Sequence, residues 1–183
     1  MEGDAAAGVS GEPRVRAAAI LSLIAAAAVL AALAAALILV GRETPAGVGV
    51  AGAGALLILA GIRAREAKSA RLAFADASLE RAVDAVILGA VAWAEIGARP
   101  LVSAAALVAL GASYLAAYLR AKSSGLGFPL GDSLIVRSVR WTIVALGLVF
   151  PSLLQLALWV SAAVSVQLIV RHASAVARVP EGR

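Results

Sequence analysis

The chain has 183 residues, 62% of them hydrophobic and 15% charged, with no cysteine and a net charge of +5. Soluble domains average roughly 45–50% apolar and about 25% charged residues, so an ordinary soluble globule, a disordered chain and a disulfide scaffold are excluded. Thiol catalysis and zinc–thiolate sites are excluded as well.

In chain order, the sequence predicts an all-α polytopic membrane protein. A bilayer core of about 30 Å takes roughly 20 apolar residues as a helix. Ala17 to Val40 is one such run without a charge, and Ala46 to Ile62 is a shorter, Gly-rich second. The third runs from Leu72 to Ile96 with charges in its first half, and Leu101 to Leu119 is the fourth. Leu134 to Phe150 carries Arg137 and Arg140 in its first turns, and Leu153 to Val170 is the sixth. Barrel strands alternate, and these runs do not. One membrane domain, residues 17–172, is expected between a disordered N-terminal tail (1–16) and a C-terminal tail (173–183). Arg14 and Arg16 ahead of an Ala-rich run imitate a signal peptide. The run is longer than the usual h-region of about 7–15 residues and follows Glu2, Asp4 and Glu12, so it reads as a retained helix.

The basic residues set the orientation. Arg42 and Arg99 lie in loops at one end of the spans, and the other fourteen cations lie at the opposite end or in the tails. The positive-inside rule then places both termini, and any site at that end, in the cytoplasm of a multi-pass cell-membrane protein. The cations fall between apolar runs rather than on a soluble face, so no nucleic-acid partner is expected. Gly47, Gly49 and Gly52 spell GxGxxG, but they open a transmembrane run with no preceding strand. They read as close helix packing.

Asp76, Glu80 and Asp84 are spaced by four, which puts three carboxylates on one helical stripe with Arg81 beside them. Like charges at this spacing repel, so the stripe needs cations, a metal or water. Two readings stay open on the residues alone. Asp76 and Glu80 form a site, or they belong to a solvated helix end paired with Arg63, Arg65 or Lys68. A salt bridge to Arg81 is a sufficient role for Asp84. His172 and the tryptophans Trp93 and Trp141 read as interfacial residues, and Trp159 as a packing residue.

The stretch Ala73 to Asp84 (AFADASLERAVD) resembles the third-helix segment of CDP-alcohol phosphatidyltransferases, in the phosphatidylinositol (phosphate) synthase-like branch. Ser113 to Lys122 (SYLAAYLRAK), with Gly125-Leu126-Gly127, resembles the end of that branch's fourth helix. Gln167 with Arg171 and His172 resembles its last helix. The order and spacing of these segments cover most of the chain from about residue 55 onward.

The resemblance implies six transmembrane helices, a homodimer, and transfer of a phosphatidyl group from a CDP-lipid to an alcohol such as inositol phosphate, releasing CMP. It implies Mg²⁺ or Mn²⁺ as cofactor, with Asp76 and Glu80 as metal ligands and Glu80 at the position of the base. It also implies a phosphate-binding set of Arg63, Arg65, Arg120, Lys122, Arg137 and Arg140; as cytoplasmic cations these equally suit anionic membrane lipids. Departures from the family pattern D-G-x2-A-R-x8-G-x3-D-x3-D bear on activity. Anchored on Asp76 and Glu80, its first five named positions fall at Ile58, Leu59, Ile62, Arg63 and Leu72. A two-residue deletion instead aligns Ala60, Gly61, Ala64 and Arg65. Either way the second-helix aspartate is missing, and a two-metal site loses opposing ligands. The chain therefore reads as a divergent or inactive relative. Two alternatives remain: a non-catalytic lipid-head-group binder or partner subunit, and a small cation- or proton-coupled transporter using the acidic stripe.

Overall fold

A computed structural model describes residues 11–125 and 134–177 of the chain. Among them the fold is all-helical: α1 (Gly11–Leu39), α2 (Glu43–Glu66), α3 (Ala70–Glu95), α4 (Pro100–Gly125), α5 (Leu134–Val149) and α6 (Leu154–Ala177), with a 3₁₀ turn at Pro151–Leu153 before α6. The helices extend beyond the apolar runs. α1 starts six residues before Ala17, where Pro13 sits in a first turn that loses no backbone bond to it. Residues 11–16 are helical, as are residues 173–177 at the other terminus. The remainder of both expected tails, and Leu126 and Gly127, lie outside the described residues.

Turn chemistry explains the helical hairpins. Gly41 adopts a left-handed φ of 74°, and the N–H groups of Gly41 and Arg42 donate to Ile38 O and Leu37 O, closing α1 in a Schellman motif. Lys68 takes the same left-handed region after α2, and Ser69 caps α3 by accepting from the Leu72 N–H at 3.4 Å. Pro100 opens α4, its missing donor costing nothing at that position.

α2 lies against α1 and α5, α3 against α1 and α4, and α6 against α4 and α5. The core joining them is rich in alanine and small aliphatics, including Ala34, Ala53, Leu57, Ile87, Ala105 and Leu158. The second-helix glycines do the packing expected of them. A Cβ on Gly47 would sit 2.7 Å from the Val149 backbone nitrogen on α5, and one on Gly49 would sit 3.2 Å from Ala34 on α1. Trp141 differs from expectation. It is buried over Gly54 instead of anchoring at an interface, because a glycine on α2 leaves space for the indole. Trp159 is 42% exposed and faces outward.

Among the described residues, α1, α2, α4 and the α6 region are long and apolar enough to cross a membrane. α5 has 16 residues, about 24 Å of helix, and α3 carries the charges. The turns at Gly41, Arg99 and Pro151 meet at one end. There Arg99 binds Glu95 through two hydrogen bonds of 2.6 Å, pairs with Glu43, and donates to Pro151 O at 3.4 Å. This clasp joins all three turns at that end.

Candidate functional site

The acidic stripe lies toward the other end of the bundle, and all three carboxylates are buried. Two long arginines reach them from α5. Arg137 grips Asp76 through both terminal nitrogens, at 2.9 and 3.1 Å, and its Nε lies 3.5 Å from Glu80. One turn further on, Arg140 donates to Asp84 at 2.6 Å. α3 and α5 start from the same end of the bundle, so the earlier arginine meets the earlier acid. The backbones of these helices barely touch, and the arginine side chains fill the space between them.

Arg81 completes the network. It pairs with Glu80 at 2.5 Å and with Asp84 at 3.2 Å, and donates to Ser113 Oγ at 2.8 Å on α4. Ser113 passes the bond on, its hydroxyl donating to Asp84 at 2.5 Å. The Tyr114 hydroxyl donates to the Arg81 carbonyl at 2.9 Å. Among the described residues, three carboxylates thus face three guanidiniums, with formal charges that balance. This balance makes the stripe tolerable in a low-dielectric interior, where an unpaired charge costs several kcal/mol.

The structure unites some of the sequence-predicted residues and separates others. Asp76, Glu80, Asp84, Arg137 and Arg140 come together, and the Asp84–Arg81 bridge forms as expected. Arg63 is exposed and meets Glu66 at 3.7 Å, away from the stripe. Arg65 is exposed on the last turn of α2. Arg120 and Lys122 lie at the end of α4, where the Lys122 ammonium stands 5.8 Å from the Tyr118 ring centre. The solvated pairing of Asp76 and Glu80 with Arg63, Arg65 or Lys68 is replaced by pairing with Arg137 and Arg81. Sequence reasoning gave Ser113 no role, because its partners lie 29 and 32 residues away. His172, expected at an interface, is buried, with Nδ1 2.6 Å from Leu168 O.

The second-helix positions can now be sorted. The inward face of α2 carries Leu57, Ala60, Gly61 and Ala64, whereas Leu59, Ile62 and Arg63 point outward. Ala60 is therefore the α2 residue that faces inward at the position where the resemblance calls for aspartate. Ala64 packs with Leu72 and Ile20 in an apolar cluster beside the start of α3.

A divalent cation pair would need oxygen ligands converging from both sides, near-octahedral for Mg²⁺. Among the described residues the donor set does not fit. α2 presents alanine and glycine, and the α3 carboxylates are engaged by guanidiniums. Among the described residues no three acids, histidines or cysteines form a metal-holding group.

No family model matches the chain, and no curated protein matches it. Solved structures do. Mycobacterium tuberculosis phosphatidylinositol phosphate synthase with CDP-DAG bound superposes with a TM-score of 0.72 at 24% identity, covering 92% of this chain and 88% of that one. The apo form of the same synthase gives 0.71 at 24% identity, with 88% of each chain covered. The chain therefore has the fold of that synthase, as the resemblance in its third and fourth helices implies.

Proposed function

We propose that this chain is a CDP-alcohol phosphatidyltransferase-like membrane protein in which arginine has taken the place of divalent metal, so that it binds lipid without transferring a phosphatidyl group. The observation carrying this reading is the two-bond grip of Arg137 on Asp76, in a chain whose α2 turns Ala60 inward where the resemblance calls for aspartate. Phosphoryl transfer depends on cations that neutralise charge developing on the transferred group. A guanidinium already held by two carboxylates has little capacity left for that charge. In this reading the chain spans the membrane six times with the acidic stripe toward the cytoplasm. It works as a homodimer or as the partner subunit of an active paralogue.

One observation favours the active alternative: Asp76 and Glu80 are both present, in the fold of a synthase solved with CDP-DAG bound. The two readings separate in one assay. Membranes containing the chain are given CDP-diacylglycerol, Mg²⁺ or Mn²⁺, and inositol phosphate, and CMP release is followed. The expected release equals that of the Asp76→Asn variant. Release that Asp76→Asn abolishes would establish an active transferase, with Glu80 as the candidate base. The transporter reading is not favoured, because the acids are closed off by arginines and followed by the buried apolar Leu88 and Val91.

A further inference from the structure

The α2–α3 turn lies at the end of the bundle opposite the Arg99 clasp. Lys68 closes α2 there with a left-handed φ of 48°, its N–H donating to Arg65 O at 3.1 Å. Glycine fills such a position without steric cost, whereas a residue with a Cβ is strained in it. Among the described residues no other non-glycine residue has a positive φ. Strain kept at one position points to a use for the side chain that stands there.

Lys68 and Arg71 are both exposed. Glu66, the one acid between Arg63 and Phe74, is met by Arg63 at 3.7 Å. Lys68 and Arg71 therefore bring two positive charges that no described carboxylate offsets. Arg71 and Phe74 are three residues apart, on the outward side of the first turns of α3. Leu72 and Asp76 turn inward between and behind them.

The level of the turn follows from α3 itself. Phe74 and Trp93 are each 75% exposed, near opposite ends of the helix. They stand about 28 Å apart along its axis, close to the roughly 30 Å of a hydrocarbon core. The exposed residues between them, Ala77, Ser78, Ala82 and Val86, carry no charge. With Phe74 at the edge of the hydrocarbon, Arg71 and Lys68 stand one turn further out, at the depth of lipid phosphates. The end of α2, a helix long and apolar enough to cross a membrane, meets the same level.

We propose that Lys68 and Arg71 hold the head group of one anionic phospholipid, with the Phe74 ring against its first acyl carbons. Two uncompensated cations favour a head group of net negative charge over a zwitterionic one, whose own cation they would repel. The aromatic ring at the hydrocarbon edge favours a lipid over a soluble anion. The site lies on the outward face of α3, apart from the inward acids, and it stands whether or not the acidic network is catalytic.

The test uses the full purified chain, stripped of lipid and titrated with phosphatidylglycerol under native mass spectrometry. Phosphatidylcholine, glycerol 3-phosphate and a polyglutamate peptide serve as the zwitterionic, chain-free and protein-like probes. A saturable single-lipid adduct is expected with phosphatidylglycerol. Lys68→Gln and Arg71→Gln should each weaken it about tenfold, the loss of one charge-assisted contact. Lys68→Gly should weaken it equally while the lipid-free melting temperature stays level or rises, because the strain is relieved. Arg42→Gln, which removes an exposed cation at the other end of the bundle, should leave the adduct unchanged. Full binding in Lys68→Gly or Arg71→Gln would overturn the proposal, as would an equal loss in Arg42→Gln. Binding of any of the three other probes as tightly as phosphatidylglycerol would overturn it too. A lower melting temperature in Lys68→Gly would refute the premise that Lys68 is kept at a cost to the fold.

Discussion

Replacing Arg137 with Met tests whether the buried arginine stands where a cation is required. The substitution keeps length and apolar bulk and removes the charge. Arg137 is 8% exposed and Asp76 equally so, and two hydrogen bonds of 2.9 and 3.1 Å join them, with Glu80 3.5 Å away. Removing one partner of a buried ion pair costs about 3–5 kcal/mol, because the other charge stays buried without compensation. Arg137→Met should therefore lower unfolding stability by that amount. The three tryptophans provide a fluorescence signal for denaturant unfolding in mild detergent. Asp76→Asn in the same background should recover part of the loss. The resulting coupling should be about 1–3 kcal/mol, as for directly paired groups. Mn²⁺ should raise the melting temperature of Arg137→Met, whose acids are released, more than that of the unsubstituted chain. A loss under about 1 kcal/mol, or strict additivity with Asp76→Asn, would refute the pairing. Equal stabilisation of both proteins by Mn²⁺ would refute the idea that the guanidinium occupies the cation's place.

Two further predictions concern the scaffold. Arg99→Gln should cost about 1–2 kcal/mol, a modest figure because the guanidinium is partly exposed. Its hydrogen bonds to Glu95 hold Arg99 protonated above the ordinary arginine range, against the opposing effect of its partial burial. A raised value means the contribution is complete below the unfolded-state pKa and is lost only as pH rises through the folded one. The difference between the parent and Arg99→Gln should thus be flat from neutral pH to about pH 10, and a decline within that window would contradict the clasp. Gly47→Ala should destabilise by about 1–3 kcal/mol, since the new methyl would press on the Val149 nitrogen and the Ala145 carbonyl of α5. Gly89→Ala, with nothing within 4 Å, should be neutral or slightly stabilising in the same unfolding assay.

The helices and their hairpin order were legible because apolar runs and punctuating residues are local signals. The apolar runs break at Val40, Ile96 and Phe150, next to the turns the structure shows, and the close approach of Gly47 and Gly49 follows from their size. The Asp84–Arg81 bridge was legible for the same reason, being three residues long. The choice of Arg137 for Asp76 was not, since 61 residues separate them and any cytoplasmic cation satisfied the sequence equally. Trp141 shows the same limit. Its place near a span end suggested an anchor, and only the glycine facing it on another helix makes a buried indole possible. Glu95 and Arg99 have the spacing of a helical ion pair, but Glu43 joins them only once the hairpins are folded.

In the proposed reading, the alanine and glycine on the inward face of α2 and the pairing of the α3 acids with arginine belong together. Without a cation beside them, Asp76, Glu80 and Asp84 would be three buried like charges along about 12 Å of helix. A stripe of that kind would have to neutralise by protonation or open to water. Arginine solves the problem more fully than lysine would, because its planar fork can bind one carboxylate through two nitrogens and still reach a second. Arg137 does this with Asp76 and Glu80, and Arg81 with Glu80 and Asp84. Placing an aspartate at Ala60 alone should therefore not create a metal site. Asp76 would still be held by the guanidinium of Arg137 through two hydrogen bonds. Ala60→Asp becomes informative only together with Arg137→Met, which frees Asp76 and Glu80 from the guanidinium; in the proposed reading the double variant gains Mn²⁺ stabilisation beyond that of Arg137→Met, and an equal gain in both would show that residue 60 does not face the acids.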